Sequence, residues 1–365
     1  MTDLDDTESA LRDSLQGWLA DHLDPAMQGR ADVAPPVPLW SALADELDLL
    51  GAGVPEADGG LGGGLRLQLI VVCTLGEWLA AEPYRSAAVL GLAALRGDSH
   101  AALRASLLRG RQRVAWAHHE PGARGGAQGL ACRWQADGAG GRIDGRKSGV
   151  VMADGATQLL VSVRRDDGEP GVVLVDALAD GLTRRPLRAL DGSGTDEVAF
   201  DAVPAAPGAW LGGADLLDRL LDLDTLSACA EALGLMQHLQ ADTTEHLRTR
   251  RQFGQPLAAF QVLQHRLADV HVARVQAEAL TWAVAAGFEG AAPRERALAV
   301  SSLALATGRA CRAAAEGAIQ LHGAMGVTEE LLAGRLARRA LQIEQLCADR
   351  TRHALRLDAL LQDRS

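Results

Sequence analysis

Aromatic residues are scarce: Phe, Trp and Tyr make up 3% of 365 residues, with one Tyr in all. Sandwich cores lean on aromatic and β-branched side chains, so Ala and Leu in their place favour close-packed helices. Cysteine is sparse and scattered. Cys73, Cys132, Cys229, Cys311 and Cys347 form no Cys-x-x-Cys pair, which excludes a disulfide framework or zinc ribbon and suits reduced, buried thiols in a cytoplasm. No apolar run approaches the roughly 20 residues of a membrane helix. There is no extended basic tract, and the net charge is −11, so neither a membrane nor nucleic-acid phosphate is an expected partner. The first residues, MTDLDDTESALRDS, are acidic, unlike a signal or transit peptide. Internal repeats and low-complexity tracts are missing too.

What is present falls into three zones, with an ordinary globular share of hydrophobic residues, 48%. Up to about residue 110, ESALRDSLQGWLADHL, PLWSALADELDLLG and LRLQLIVVCTLGEWLAAE carry apolar residues at helical spacing. The loop GAGVPEADGGLGGG divides them and follows no strand, so it is not a dinucleotide fingerprint. From 111 to 212, RVAWAHHE, GLACRWQAD, QLLVSVR, GVVLVDA and TDEVAFDAV are short runs parted by turn residues, the pattern of an antiparallel sheet or barrel. Beyond that, helices are expected near 215–250, 257–287, 294–323 and 329–361, an up-down bundle. The fold class expected is α+β: an N-terminal helical domain (1–110), a middle antiparallel β-domain (111–212) and a C-terminal four-helix bundle (213–365).

The stretch RTRRQFGQP (248–256) ends the first bundle helix. Arg248, Arg250 and Arg251 suit the negative end of the helix dipole, Gly254 suits the left-handed residue past a helix end, and Pro256 stops continuation. Turn chemistry explains the stop but not the arginines and Phe253 together. Later, QLHGAMGVTEE (320–330) breaks the third and fourth helices with glycines.

Together with PEADGGLGG, EPGARGG and FQVLQHRLADV, in this order and spacing, these stretches resemble the acyl-CoA dehydrogenase family over nearly the whole chain. The resemblance implies FAD, bound between β-domain and bundle and completed by a neighbouring subunit. It assigns Arg250 to the pyrophosphate, with Gln252 and Phe253 beside the cofactor, and gives Gln320 and the backbone of Gly323 the second dinucleotide contact. Guanidinium is a fitted, permanently charged donor for phosphate oxygens, and glycine lets backbone approach closely. The chain departs from the family in four places. Ala324 follows Gly323 where Gly-Gly is usual. GRKSGVVMADGA supplies Ser148 and valines where a Trp-x-Thr/Ser often faces the flavin. EPGARGG replaces EPGAGSD, and the YEGT-like turn that carries the usual catalytic Glu is missing.

In this it is similar to the family's shorter chains, the small subunits of pimeloyl-CoA and steroid side-chain dehydrogenases, which typically work in heteromers. α,β-Dehydrogenation needs a carboxylate that takes the α-proton, best with a pKa raised towards operating pH. A minority of the family carries it on the first bundle helix, which by counting from ALGLMQ is Asp224. Independently, Leu217, Leu221, Asp224, Ala228, Glu231 and Leu235 share one helical stripe, with Asp222 pointing elsewhere. A carboxylate on an apolar stripe is either functional or paired with a buried Arg. Asp224 is the candidate base and Glu231 the alternative; Arg266 and Arg274 are the partners at hand for Glu231. His118 and His119 face opposite sides of a strand, so no metal is expected there, and His322 reads as a loop or cap residue.

Three functions remain open. The first is FAD-dependent dehydrogenation of an acyl-CoA thioester, passing electrons to an electron-transferring flavoprotein, in a homodimer or homotetramer. The second is a non-catalytic or half-site subunit of a heteromer with a larger acyl-CoA dehydrogenase subunit. The third is a flavin tailoring enzyme acting on an acyl-carrier-protein thioester.

Overall fold

The computed structural model describes residues 4–24, 39–80, 83–123, 125–138, 140–328, 330–347 and 349–362. The first half holds helices α1 (Asp6–His22), α2 (Leu39–Asp45), α3 (Gly64–Glu77), α4 (Leu92–Ala94) and α5 (Ala101–Leu108). Strands follow: β1 (Val114–Ala117), β2 (Arg133–Asp137), β3 (Gly140–Val151), β4 (Gln158–Arg165), β5 (Pro170–Asp176), β6 (Leu182–Arg188), β7 (Gly194–Ala205) and β8 (Trp210–Gly212). Then come α6 (Ala214–Thr249), the two-residue strands β9 (Arg251–Gln252) and β10 (Gln255–Pro256), α7 (Gln261–Gly287), α8 (Pro293–His322), α9 (Leu332–Leu346) and α10 (Arg350–Gln362). The α+β order of helices, sheet and helices is as expected from the composition zones.

By packing, the chain divides into two compact units. One comprises 38–64 and 82–224, the other 1–37, 65–81 and 225–365. The first holds the sheet, ordered β6-β7-β3-β2-β4-β5-β8 with β1 beside β4. Most pairs are antiparallel; β1 and β2 each run parallel to β4. Ile143, Leu159, Val161, Val173 and Val198 centre its core. Strands β3 and β6 escape the sequence pattern. β3 reads GGRIDGRKSGVV, rich in glycine and charge, yet it lies between β2 and β7 and buries Ile143, Lys147 and Val150. Its pairing with β7 slips between Lys147 and Val150, a bulge in which Gly149 takes φ +66. That conformation costs a side-chain-bearing residue strain.

The second unit is helical. A capping box starts α1, Asp5 accepting from the Glu8 amide at 2.8 Å and Glu8 accepting from the Asp5 amide at 3.2 Å. α8 begins with Pro293, whose missing N–H is no loss in a first turn. α3 and α6 meet backbone to backbone: a Cβ on Gly234 would overlap the Cys73 carbonyl, and one on Gly76 the Glu231 carbonyl. Leu233, Met236, Cys311, Ala314, Leu336 and Ala340 fill the space around that crossing. Small side chains bring the helices close, which is how a chain so poor in aromatics builds a dense core.

Two expectations change. From Thr225 to Met236 every residue of α6 is buried, so the helix has no polar face there and the proposed stripe does not separate inside from outside. The fourth bundle segment is two helices, because the Asp349 side chain accepts from the Arg352 amide at 2.6 Å and starts α10 anew. Cys73, Cys132, Cys229 and Cys311 are buried free thiols, and Cys347 is half-buried. No helix among the described residues is long and apolar enough to cross a membrane.

Candidate functional site

In the helical unit, α6 stops at Thr249, and the following residues turn back on themselves. The Arg250 amide donates to the His246 carbonyl at 2.9 Å, and Leu257 closes the loop by donating to the Arg250 carbonyl at 2.8 Å. Between them β9 and β10 pair Gln252 with Gln255 and Arg251 with Pro256. Phe253 and Gly254 form the tip, with φ +53 and +83. Gly254 is therefore left-handed as expected, but as the second residue of a two-residue hairpin turn and not as a helix cap. A Phe at positive φ is strained. This one is also 89% exposed, edge-on to Phe260 at 6.1 Å. Arg250 and Gln252 are exposed beside it, and Arg250 has no carboxylate partner among the described residues. An exposed strained aromatic flanked by an unpaired guanidinium is a surface built for something other than folding.

The second expected contact comes from the end of α8. Gln320 is exposed, and Gly323 leaves the helix at φ 67, ψ −145 with open space where a Cβ would be. Two histidines bring these pieces, about seventy residues apart, to one end of the bundle. His322 stacks on His246 with ring centroids 4.3 Å apart and 21° between planes. Its Nε2 also lies 3.3 Å from Thr243 Oγ1. His322 is thus buried between helices; burial first, then the His246 charge, lowers its pKa.

The candidate bases sit otherwise. Asp224 meets Arg85, whose Nη2 donates to Oδ1 at 2.9 Å and to the Asp224 carbonyl at 3.3 Å. Arg85 opens a buried π-helical turn, Arg85–Gly91. The two side chains are 6% and 15% exposed. Glu231 is 1% exposed, and Oε1 accepts from Arg339 Nε at 2.6 Å. The pairing anticipated with Arg266 or Arg274 is not made: Arg274 instead bonds Glu278 at 2.7 Å and Gln240 at 2.9 Å. Each candidate carboxylate is thus held by a guanidinium.

The sheet unit carries a buried polar cluster that sequence reasoning missed. Lys147 is the chain's single lysine, and it is 0% exposed. Its three N–H donors meet three acceptors: the His118 carbonyl at 3.1 Å, Glu120 Oε1 at 2.7 Å and Ser162 Oγ at 3.0 Å. Burial pushes its pKa down. Glu120 also accepts from the amides of Ala131 and Cys132 at 2.7 and 3.1 Å. His118 Nε2 accepts from the Gly126 amide at 3.2 Å, so its proton is on Nδ1, facing Ser162 Oγ at 2.9 Å. A lone lysine among dozens of arginines was the available signal: ammonium fits three convergent acceptors, and a planar guanidinium does not. Ser148, in the bulge, is half-exposed and donates its amide to the His119 carbonyl at 2.8 Å. No group of three or more His, Cys, Asp or Glu among the described residues is arranged to hold a metal.

The hairpin and the Gly323 turn fit a dinucleotide's phosphates: an unpaired guanidinium, a tip of positive φ and an open glycine face one end of the bundle. In the sheet unit by itself, the Ser148–Gly149 bulge offers a flavin ring no covering side chain at Gly149.

Comparison with known proteins identifies the family. The family model for the acyl-CoA dehydrogenase N-terminal domain matches residues 5–96, and that for the C-terminal domain matches 212–345. The acyl-CoA dehydrogenase FadE27 of Mycobacterium tuberculosis is 30% identical over 64% of this chain, a match spanning 62% of that relative's own length. Among solved structures, the Tcur3481-Tcur3483 steroid ACAD superposes with a TM-score of 0.90 at 27% identity, covering 98% of both chains. The ChsE4-ChsE5 complex of M. tuberculosis shares the fold, with a TM-score of 0.89 at 24% identity over 99% of this chain and 98% of that one. Two domain models in family order, spanning more than half the residues, show that the chain belongs to the acyl-CoA dehydrogenase family.

Proposed function

We propose that this chain is the supporting subunit of a heteromeric, FAD-dependent acyl-CoA dehydrogenase, holding the phosphate end of a cofactor whose ring is bound by a larger partner, which also supplies the catalytic base. The observation that carries this reading is a contrast. Arg250 and Phe253 are exposed, and Arg250 has no carboxylate partner among the described residues, whereas Asp224 is clasped by Arg85 at 2.9 Å. FAD supplies acceptance of the β-hydride. Arg250 would hold its pyrophosphate, with Gln252 and Phe253 alongside, and Gln320 and the Gly323 backbone would contact the adjoining part. The family resemblance also assigns Ser148 of this chain's sheet to a flavin, a place that this reading gives to the partner. The partner's base would take the α-proton of the acyl-CoA, and electrons would pass on to an electron-transferring flavoprotein. Two-chain names among the similar structures, Tcur3481-Tcur3483 and the ChsE4-ChsE5 complex, support the heteromer.

A second reading keeps Asp224, or Glu231, as the base of a self-sufficient enzyme working on an acyl-CoA or carrier-protein thioester. Asp224 retains 15% side-chain exposure, which is what favours it. The test is the visible spectrum and solution mass of the chain purified alone and co-expressed with a larger family member. A colourless chain that becomes a yellow complex only with its partner supports the subunit reading. Stoichiometric flavin in a homo-oligomer that acyl-CoA bleaches would overturn it.

A further inference from the structure

The two phosphate-side pieces are joined by one contact whose chemistry depends on protonation. Thr243 Oγ1 gives its hydrogen to the Leu239 carbonyl at 2.7 Å, so towards His322 it can only accept. His322 Nε2 therefore carries the proton, and Nδ1 is a bare lone pair. That Nδ1 is buried and has no hydrogen-bond partner among the described residues. His322 as a whole is 8% exposed, and its other face lies on the His246 ring at 4.3 Å. The titratable groups facing it are His246 and Asp242, both from α6, and Asp242 Oδ2 is itself buried without a partner. On the far side of Thr243, a small void of about 10 Å³ is lined by Gln240, Leu267, Val270 and Leu321. A second proton on His322 would thus sit on a buried nitrogen with no acceptor within reach, against another imidazole, where a charge is costly even with Asp242 nearby.

We propose that His246 and His322 form a stacked pin that registers the Arg250 hairpin against the Gly323 turn, and that the pin holds only while His322 is neutral. His246 is the residue whose carbonyl receives the Arg250 amide, and His322 is the last residue before Gly323. Separating the rings moves both phosphate-holding pieces at once. The pair consists of positioning residues, and cofactor retention falls as pH falls. The pH-dependent pin stands on geometry; its link to cofactor rests on the function proposed above.

Hydrogen exchange of the full chain, corrected for intrinsic rates, tests it over residues 243–257 and 318–326. Between about pH 7.5 and about pH 5.5, protection in both segments should drop about tenfold, as expected when a histidine changes charge across that range. His322→Phe keeps an aromatic ring on His246 but cannot titrate, so protection should stay high at both pH values. If that variant melts early, His322→Gln, which also cannot titrate and keeps a donor towards Thr243 Oγ1, serves the same purpose. An equal drop in wild type and variant, or no drop in wild type, overturns the pin. FAD retention by the assembled complex, measured in parallel, separates the two ideas. If protection behaves as expected and FAD affinity ignores pH, the pin stands and the cofactor role of the hairpin is wrong.

Discussion

Arg85 Nη2 holds both the carboxylate and the backbone carbonyl of Asp224, at 2.9 and 3.3 Å. One guanidinium fixing both ends of a residue makes Asp224 part of the scaffold before it is part of any chemistry. In a reconstituted complex, Asp224→Asn should therefore keep turnover within about twofold, because no barrier-lowering contact is lost. Loss of roughly a hundredfold or more, the scale of a removed general base, would return Asp224 to the catalytic role. Arg85→Gln, by contrast, should lower stability in urea unfolding.

Glu231 and Arg339 meet at 2.6 Å, nearly sealed from solvent. Removing one member takes away the other's close counter-charge, so Arg339→Met should cost about 3–5 kcal/mol in chemical denaturation. Adding Glu231→Leu should recover most of the loss, since apolar replacement of a whole buried pair is often neutral. A double variant no more stable than the single would show that the pair does more than neutralise itself.

Lys147 is a point charge inside three acceptors. Lys147→Arg conserves charge yet should destabilise by roughly 3 kcal/mol, because a larger planar group overpacks a filled site. Lys147→Met should cost at least as much by leaving the buried Glu120 carboxylate without its counter-charge. If thermal unfolding ranks Arg as harmless, the three-acceptor account is wrong.

Arg250 touches solvent and supports no core, so Arg250→Gln should leave stability within about 0.5 kcal/mol of wild type. The same change removes a charged hydrogen bond to phosphate, worth about 1.5–3 kcal/mol, and should weaken FAD retention by at least about tenfold. Equilibrium dialysis against FAD reads both forms; equal affinity would dissociate the hairpin from the cofactor.

His353, 1% exposed in α10, has its pKa lowered from 6.5 to about 4, first by burial and then by the charge of Arg352. A depressed base binds fewer protons folded than unfolded, so its contribution is whole above pH 6.5 and is lost as pH falls from there through about 4. The shift corresponds to about 3 kcal/mol across that window. Urea midpoints measured against pH should fall along this limb in wild type and fall less in His353→Gln.

Periodicity and turn chemistry settled much of this molecule before any packing was known. Long apolar stripes marked the bundle helices, because helical spacing is a local property, and PEADGGLGG, RTRRQFGQP and QLHGAMG carried the family resemblance because backbone breaks need particular residues in order. Arg250, Phe253 and Gly323 were legible for that reason. Partners were not. Arg85 for Asp224, Arg339 for Glu231, and Ser162 with His118 for Lys147 join residues far apart in the chain, and no local pattern tells which of many arginines reaches which carboxylate. β3 was unreadable because its burial comes from β2 and β7 on either side and not from its own glycine- and charge-rich sequence. The stacking of His322 on His246 belongs to the same class: each histidine is ordinary in its own helix, and only the approach of α8 to α6 makes them one device.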